Sequence, residues 1–211
     1  MTRRYRIVEM FPAIQGEGHF VGTPAVFVRF AGCNLDCEFC DTPQKITAAF
    51  FLTAKELAEE VVFLCNRGGF SIRHLVFTGG EPLLQLDSDL ILAIRGRLPG
   101  IRLQVETNGE TRVQGRMGDI ECNCWVTWSP KHPITPSVRP DEVKVLWPTP
   151  WGGDPCDVLP FVLPDAELLI QPTVDSGGLP TDERLEHMIR WLEAHPGWRL
   201  SIQLHKIFNW R

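Results

Sequence analysis

Apolar and polar positions along the chain follow two rhythms that take turns, one with a period of two and one with the period of a helix. Residues 24–30, Pro-Ala-Val-Phe-Val-Arg-Phe, read as a strand. A helix is predicted over 53–65. Thr53 and Glu56 have capping-box spacing there, and Ala54, Leu57, Ala58, Val61, Val62 and Cys65 fall on one face. A strand over 74–78 runs into Gly79-Gly80, and a helix follows near 85–97. A strand over 101–106 leads into Glu106-Thr107-Asn108-Gly109. Short strands are predicted at 125–128, 142–146 and 167–171, a helix at 181–194 with Leu185, Met188, Ile189 and Leu192 on one side, and a last strand at 199–204.

Strands alternating with helices imply parallel βα units. Residues 110–165 carry few helical signals and many Pro and Trp. A regular eight-unit barrel usually needs ~250 residues, and this chain has 211. The expectation is an α/β fold of one domain over 1–211, an incomplete, shortened TIM-like barrel. Trp147, Trp151, Trp191, Trp198 and Trp210 read as core or dimer contacts.

Composition removes several classes of function. Hydrophobic residues make up 44% and charged residues 22%, ordinary globular usage. The net charge of −5 argues against broad nucleic-acid binding, which needs a basic surface. No apolar run approaches the ~20 residues of a membrane span. No apolar signal core follows the basic start Met-Thr-Arg-Arg-Tyr-Arg, so a cytoplasmic protein is expected.

Cysteine gives the strongest chemical signal. Cys33, Cys37 and Cys40 have C-x3-C-x2-C spacing just after the first predicted strand, where α/β proteins place their sites. Three thiolates can hold three irons of a cubane and leave the fourth open to a chelating molecule. The alternative is a structural zinc site, completed by Cys122, Cys124 or a histidine. Cys65 fits a buried helix face, and Cys122 and Cys124 read as inert.

With Phe39 in its aromatic slot, the cysteine loop resembles the radical S-adenosylmethionine (SAM) superfamily signature C-x3-C-x-aromatic-C. Thr78-Gly79-Gly80-Glu81-Pro82 and Glu106-Thr107-Asn108-Gly109 resemble the motifs that follow it. Ile14-Gln15-Gly16-Glu17-Gly18, Arg29, Cys40-Asp41-Thr42, Ser129-Pro130-Lys131, Gln171-Pro172-Thr173 and Gln203-Leu204-His205-Lys206 further resemble the 7-carboxy-7-deazaguanine synthase family, from residue 14 to residue 205.

That resemblance implies a radical SAM barrel and a homodimer served by an electron donor such as a flavodoxin. It implies a lyase that contracts 6-carboxy-5,6,7,8-tetrahydropterin to 7-carboxy-7-deazaguanine with loss of ammonia, towards queuosine and other deazapurines. SAM acts there as a regenerated cofactor. Cys33, Cys37 and Cys40 would ligate the [4Fe–4S] cluster and Thr42 a Mg²⁺ ion. SAM would meet Phe39, Cys40, Asp41, Gly80, Glu81, Ser129, Pro130, Lys131 and Gln171, Pro172, Thr173 and Val174. Substrate would meet Ile14, Gln15, Gly16, Arg29, Thr78, His205 and Arg211. Several positions have plainer readings: Glu81 as a carboxylate at a helix N-terminus, Thr42 as a turn residue, His205 as structural and Arg29 as ion-paired. A glycyl-radical activating enzyme and a non-catalytic zinc protein are the competing functions.

Overall fold

The computed structural model describes residues 2–40, 49–69, 71–111, 117–121, 123–173 and 182–209. Asp41, Thr42, Cys122, Val174, Trp210 and Arg211 lie outside them. The strands are β1 (Tyr5–Ile14), β2 (Pro24–Phe30), β3 (Phe50–Leu52), β4 (His74–Gly79), β5 (Arg102–Thr107), β6 (Trp125–Trp128), β7 (Glu142–Trp147), β8 (Glu167–Pro172) and β9 (Trp198–Leu200). They form one sheet in the order β3-β1-β2-β4-β5-β6-β7-β8-β9. β1 is antiparallel to both β2 and β3, and every pairing from β2 to β9 is parallel. Among the described residues β3 and β9 are the edges, so the sheet is open there, in line with the incomplete barrel that the chain length led us to expect. The helices are α1 (Ala54–Asn66), α2 (Ser88–Arg97), α3 (Met117–Glu121), α4 (Asp182–Ala194) and α5 (Leu204–Ile207).

Side chains alternate across a strand, and that alternation sorts the chemistry. On the outer face Val26, Val28, Phe30, Leu75, Phe77, Leu103, Val105 and Val126 pack with Leu57, Ala58, Val61, Leu64 and Cys65 of α1 and Leu90, Ile91 and Ile94 of α2. A second apolar cluster unites Val143, Val145 and Ile170 with Met188 of α4, Val158, Trp128 and Trp198. On the inner face the same strands carry Arg29, Thr78, Glu106, Lys144 and Gln171, all lining one cavity. Parallel sheets are usually apolar on both faces. Here one face is polar because it encloses a site.

α1 begins at the predicted capping box. Thr53 accepts from the Glu56 amide at 3.2 Å, and Glu56 accepts from the Thr53 amide at 2.8 Å. The helix expected from residue 85 starts at Ser88. Pro82–Leu84 first makes a 3-10 turn, and Asp87 then caps α2 by accepting from the Leu90 amide at 3.1 Å. The last strand is shorter than the predicted 199–204. The Ser201 amide still donates to the Ile170 carbonyl of β8 at 2.8 Å; beyond it the Leu204 amide donates to the Gly16 carbonyl at 3.0 Å, and 204–207 turns into α5.

Candidate active site

The cysteine loop leaves the C-terminal end of β2. Cys33 and Cys37 are half-buried, Cys40 is exposed, and all three face a cavity of about 950 Å³. Gly80 fixes the start of this loop, because a Cβ there would lie 2.1 Å from the Gly32 carbonyl oxygen. The Glu81 amide donates to that same oxygen at 2.9 Å. The Glu81 carboxylate is fully buried and accepts from the Leu83 amide (2.9 Å), the Thr107 hydroxyl (2.8 Å) and the Asn108 amide (2.8 Å). It stands behind the cavity wall and caps the 3-10 turn, which is the plainer of its two sequence readings. Asn108 completes the clasp, donating from Nδ2 to Asn34 Oδ1 at 2.9 Å and lying 3.8 Å from Cys33 Sγ.

Burial pushes the Cys33 and Cys37 thiols up, while Lys131 pulls Cys37 down. The Leu35 amide points at Cys33 Sγ from 3.4 Å, a donor suited to a sulfur that carries charge. Among the described residues no three His, Cys, Asp or Glu side chains converge where a single ion would sit. Three thiols that face one cavity suit a cubane, which spreads its cysteines over separate irons. Next to the cysteines, the Lys131 ammonium lies 5.7 Å from the centre of the Phe39 ring and donates to Ser129 Oγ at 3.0 Å.

The cavity gathers most of the predicted residues. Phe39, Gly80, Ser129 and Lys131 line it near the cysteines, and Gln171 and Thr173 line it from the end of β8. Ile14, Gln15, Gly16, Arg29, Thr78 and His205 line it as well. Pro130 and Pro172 are buried behind it. Arg29 Nε donates to Glu9 Oε1 at 2.8 Å, so the guanidinium is steered by an ion pair on the wall.

Of the floor, Gln15 was assigned from sequence, but Glu17, Glu106 and Lys144 were given no role there. The hairpin loop between β1 and β2 plugs the N-terminal end of the parallel strands. The His19 amide donates to Glu142 Oε2 at 2.5 Å, and the Gly18 amide donates to Ser201 Oγ at 3.2 Å. Gly18 is required there, with φ +70 and a Cβ that would stand 2.4 Å from Glu142 Oε1. The plug lifts Gln15 and Glu17 into the cavity. There Lys144 Nζ donates to Glu17 Oε2 at 2.5 Å and to Glu106 Oε2 at 3.0 Å. Burial raises Glu106. Glu17 falls to about 2, because the Lys144 ammonium and the Gln203 amide outweigh burial. Burial also pushes Glu142 up to about 7, the nearby Lys144 notwithstanding. The available signal was a lone Lys at an inward position of an apolar strand, Glu-Val-Lys-Val-Leu.

The Radical SAM superfamily model matches residues 27–115. A 7-carboxy-7-deazaguanine synthase from Nitratidesulfovibrio vulgaris is 36% identical, with 96% of this chain and 97% of the relative covered. This chain belongs to the 7-carboxy-7-deazaguanine synthase family. A second member, from Bacteroides thetaiotaomicron, is also 36% identical and covers 98% of both chains. The crystal structure of QueE from Escherichia coli superposes with a TM-score of 0.70 at 27% identity, over 96% of this chain and 95% of that one. The chain is thus a radical SAM enzyme, and membership of the family implies a [4Fe–4S] cluster and SAM. No helix among the described residues is long and apolar enough to cross a membrane.

Proposed function

We propose that the chain converts 6-carboxy-5,6,7,8-tetrahydropterin to 7-carboxy-7-deazaguanine and ammonia. One observation carries the reading beyond family membership. A single cavity has cysteine thiols at its mouth, the Arg29 guanidinium on its wall and carboxylates with amides on its floor. A carboxylated pterin offers a carboxylate to the guanidinium and N–H donors to the floor.

When bound, the cluster and SAM supply a carbon-centred radical able to abstract hydrogen. Cys33, Cys37 and Cys40 hold the cluster, and Phe39, Gly80, Ser129, Lys131, Gln171 and Thr173 surround SAM. Arg29 pairs with the substrate carboxylate through its planar fork, a geometry a Lys would not reproduce. Gln15 and Glu106 accept from the 2-amino and N3–H groups. Gln15 is oriented for this because its Nε2 donates to Gln104 Oε1 at 3.2 Å and to Glu106 Oε1 at 3.3 Å. The plug beneath them closes the cavity to water from the far side.

Mg²⁺ is part of the same reading, with Thr42 as the protein ligand. The substrate and waters complete its oxygen shell. Asp41 and Val174 would contact SAM and Arg211 the substrate. The working protein is a cytoplasmic homodimer reduced by a flavodoxin-like donor. Anaerobic turnover of reconstituted protein with SAM, Mg²⁺ and the carboxylated tetrahydropterin tests the proposal. Formation of 7-carboxy-7-deazaguanine supports it, and a reduced, SAM-binding protein that leaves the pterin unchanged overturns it.

A further inference from the structure

The buried ammonium of Lys144 has no place in the chemistry above, yet it joins the two carboxylates of the floor. It stands on β7 two residues after Glu142, with its side chain only 5% exposed. Its Nζ reaches one oxygen of Glu17, from the plug, and one of Glu106, from β5. The remaining oxygens face amides. Gln203 Nε2 donates to Glu17 Oε1 at 2.7 Å, and Gln104 Nε2 donates to Glu106 Oε1 at 3.0 Å. No other amine or guanidinium among the described residues hydrogen-bonds to either carboxylate.

Two carboxylates brought together inside a protein do not both ionise unless something offsets their repulsion. Burying a lysine carries its own desolvation cost and is tolerated when the charge is paired. Glu17, Glu106 and Lys144 satisfy both conditions together, and the trio keeps one surplus negative charge beneath the ligand space. We propose that Lys144 is a positioning residue for substrate: its ammonium offsets the repulsion of Glu17 and so keeps Glu106 a charged acceptor beneath the aminopyrimidinone edge of the pterin. This rests on the function proposed above.

The charged groups around the trio come from every neighbouring element. Glu142 faces Lys144 and Glu106 from β7, His205 of α5 acts on Glu17, and Gln171 of β8 donates from Nε2 to Glu17 Oε2 at 3.2 Å. Arg29 and Glu9 line the wall from β2 and β1. Thr127 of β6 is neutral and accepts from Gln104 Nε2 at 3.0 Å. Removing the Lys144 cation leaves Glu17, Glu106 and Glu142 to share a proton, and the floor then offers a donor where the ligand also offers donors.

The test measures binding of 6-carboxypterin, by its own fluorescence, to reconstituted protein loaded with SAM. Wild type is compared with Lys144→Met, Lys144→Arg and the double variant Glu17→Gln/Lys144→Met. Using the ratio of wild-type to variant affinity cancels ionisation of the ligand itself. For Lys144→Met the ratio should exceed about tenfold near pH 6 and shrink towards unity by about pH 8, since each unit of carboxyl pKa corresponds to tenfold in the charged form. Lys144→Arg should restore a flat ratio. The double variant, which keeps the same surplus charge, should recover most of the affinity even if the single Met variant folds poorly. Iron content and the SAM-induced change in the cluster's EPR signal should be those of wild type throughout.

Equal affinity of wild type and Lys144→Met at every pH overturns the proposal, as does a loss that neither Arg nor the double variant repairs. Failure of wild type itself to bind 6-carboxypterin would count against the proposed function instead.

Discussion

The backbone amide of Asn108 donates to Glu81 Oε2 at 2.8 Å, tying the end of β5 to the turn after β4. The Asn108 side chain then reaches the cysteine loop. A fully buried carboxylate thus helps set where the cysteine loop stands.

Replacing Glu81 by Gln puts an amide NH₂ among three donors and leaves one unsatisfied. The expected cost is about 1–3 kcal/mol of stability. Denaturant unfolding of the apo-protein measures it, and a midpoint equal to wild type would refute the assignment.

Gly80→Ala should block cluster assembly at its source, because the added methyl overlaps the Gly32 carbonyl. Iron and sulfide per chain after anaerobic reconstitution should fall to the level of Cys37→Ala. Full loading of Gly80→Ala would show that the loop yields more easily than its contacts suggest.

Arg29→Lys keeps the charge and loses the fork. We expect KM for the carboxylated pterin to rise by about tenfold or more, since one lost charge-assisted hydrogen bond is worth about 1.5–3 kcal/mol. SAM binding should be unaffected. An unchanged KM would remove Arg29 from substrate recognition.

Two buried groups give stability opposite dependences on pH. Burial and Arg102 push His74 down to about 4, so between pH 4 and the ordinary value of 6.5 the unfolded chain binds a proton the folded one refuses. Its share of stability is present above pH 6.5 and is lost as pH falls towards 4, with a size on the order of 3 kcal/mol. Glu142, pushed up to about 7, acts in reverse, contributing below its ordinary value of 4.5 and losing that contribution as pH rises to 7. Urea midpoints from pH 4 to 7 should therefore fall less steeply with acid in His74→Phe than in wild type. Parallel curves would refute the assignment to His74.

In the core, Leu57→Ala on α1 removes a fully buried side chain wedged against the sheet. A loss of about 2–5 kcal/mol is expected from calorimetry or denaturant unfolding.

The strands at Pro24–Phe30 and Trp125–Trp128 were legible residue for residue, because β-branched and aromatic residues crowd both runs. The capping box of α1 was equally plain. β1 was not, since Tyr5–Ile14 contains Pro12 and a register shift near Glu9 that break the period-two pattern. The cysteine loop and the two glycine motifs announce themselves by spacing. Glu17 and Lys144 do not, because a charged residue in sequence reads as solvated until a partner more than a hundred positions away is placed beside it.

The hydrogen bonds between Gly18 and Ser201 and between Glu17 and Gln203 span 183 and 186 positions. During synthesis, the cysteine loop leaves the ribosome long before the residues that finish the base of the chamber. That base closes only once the chain has turned back on itself.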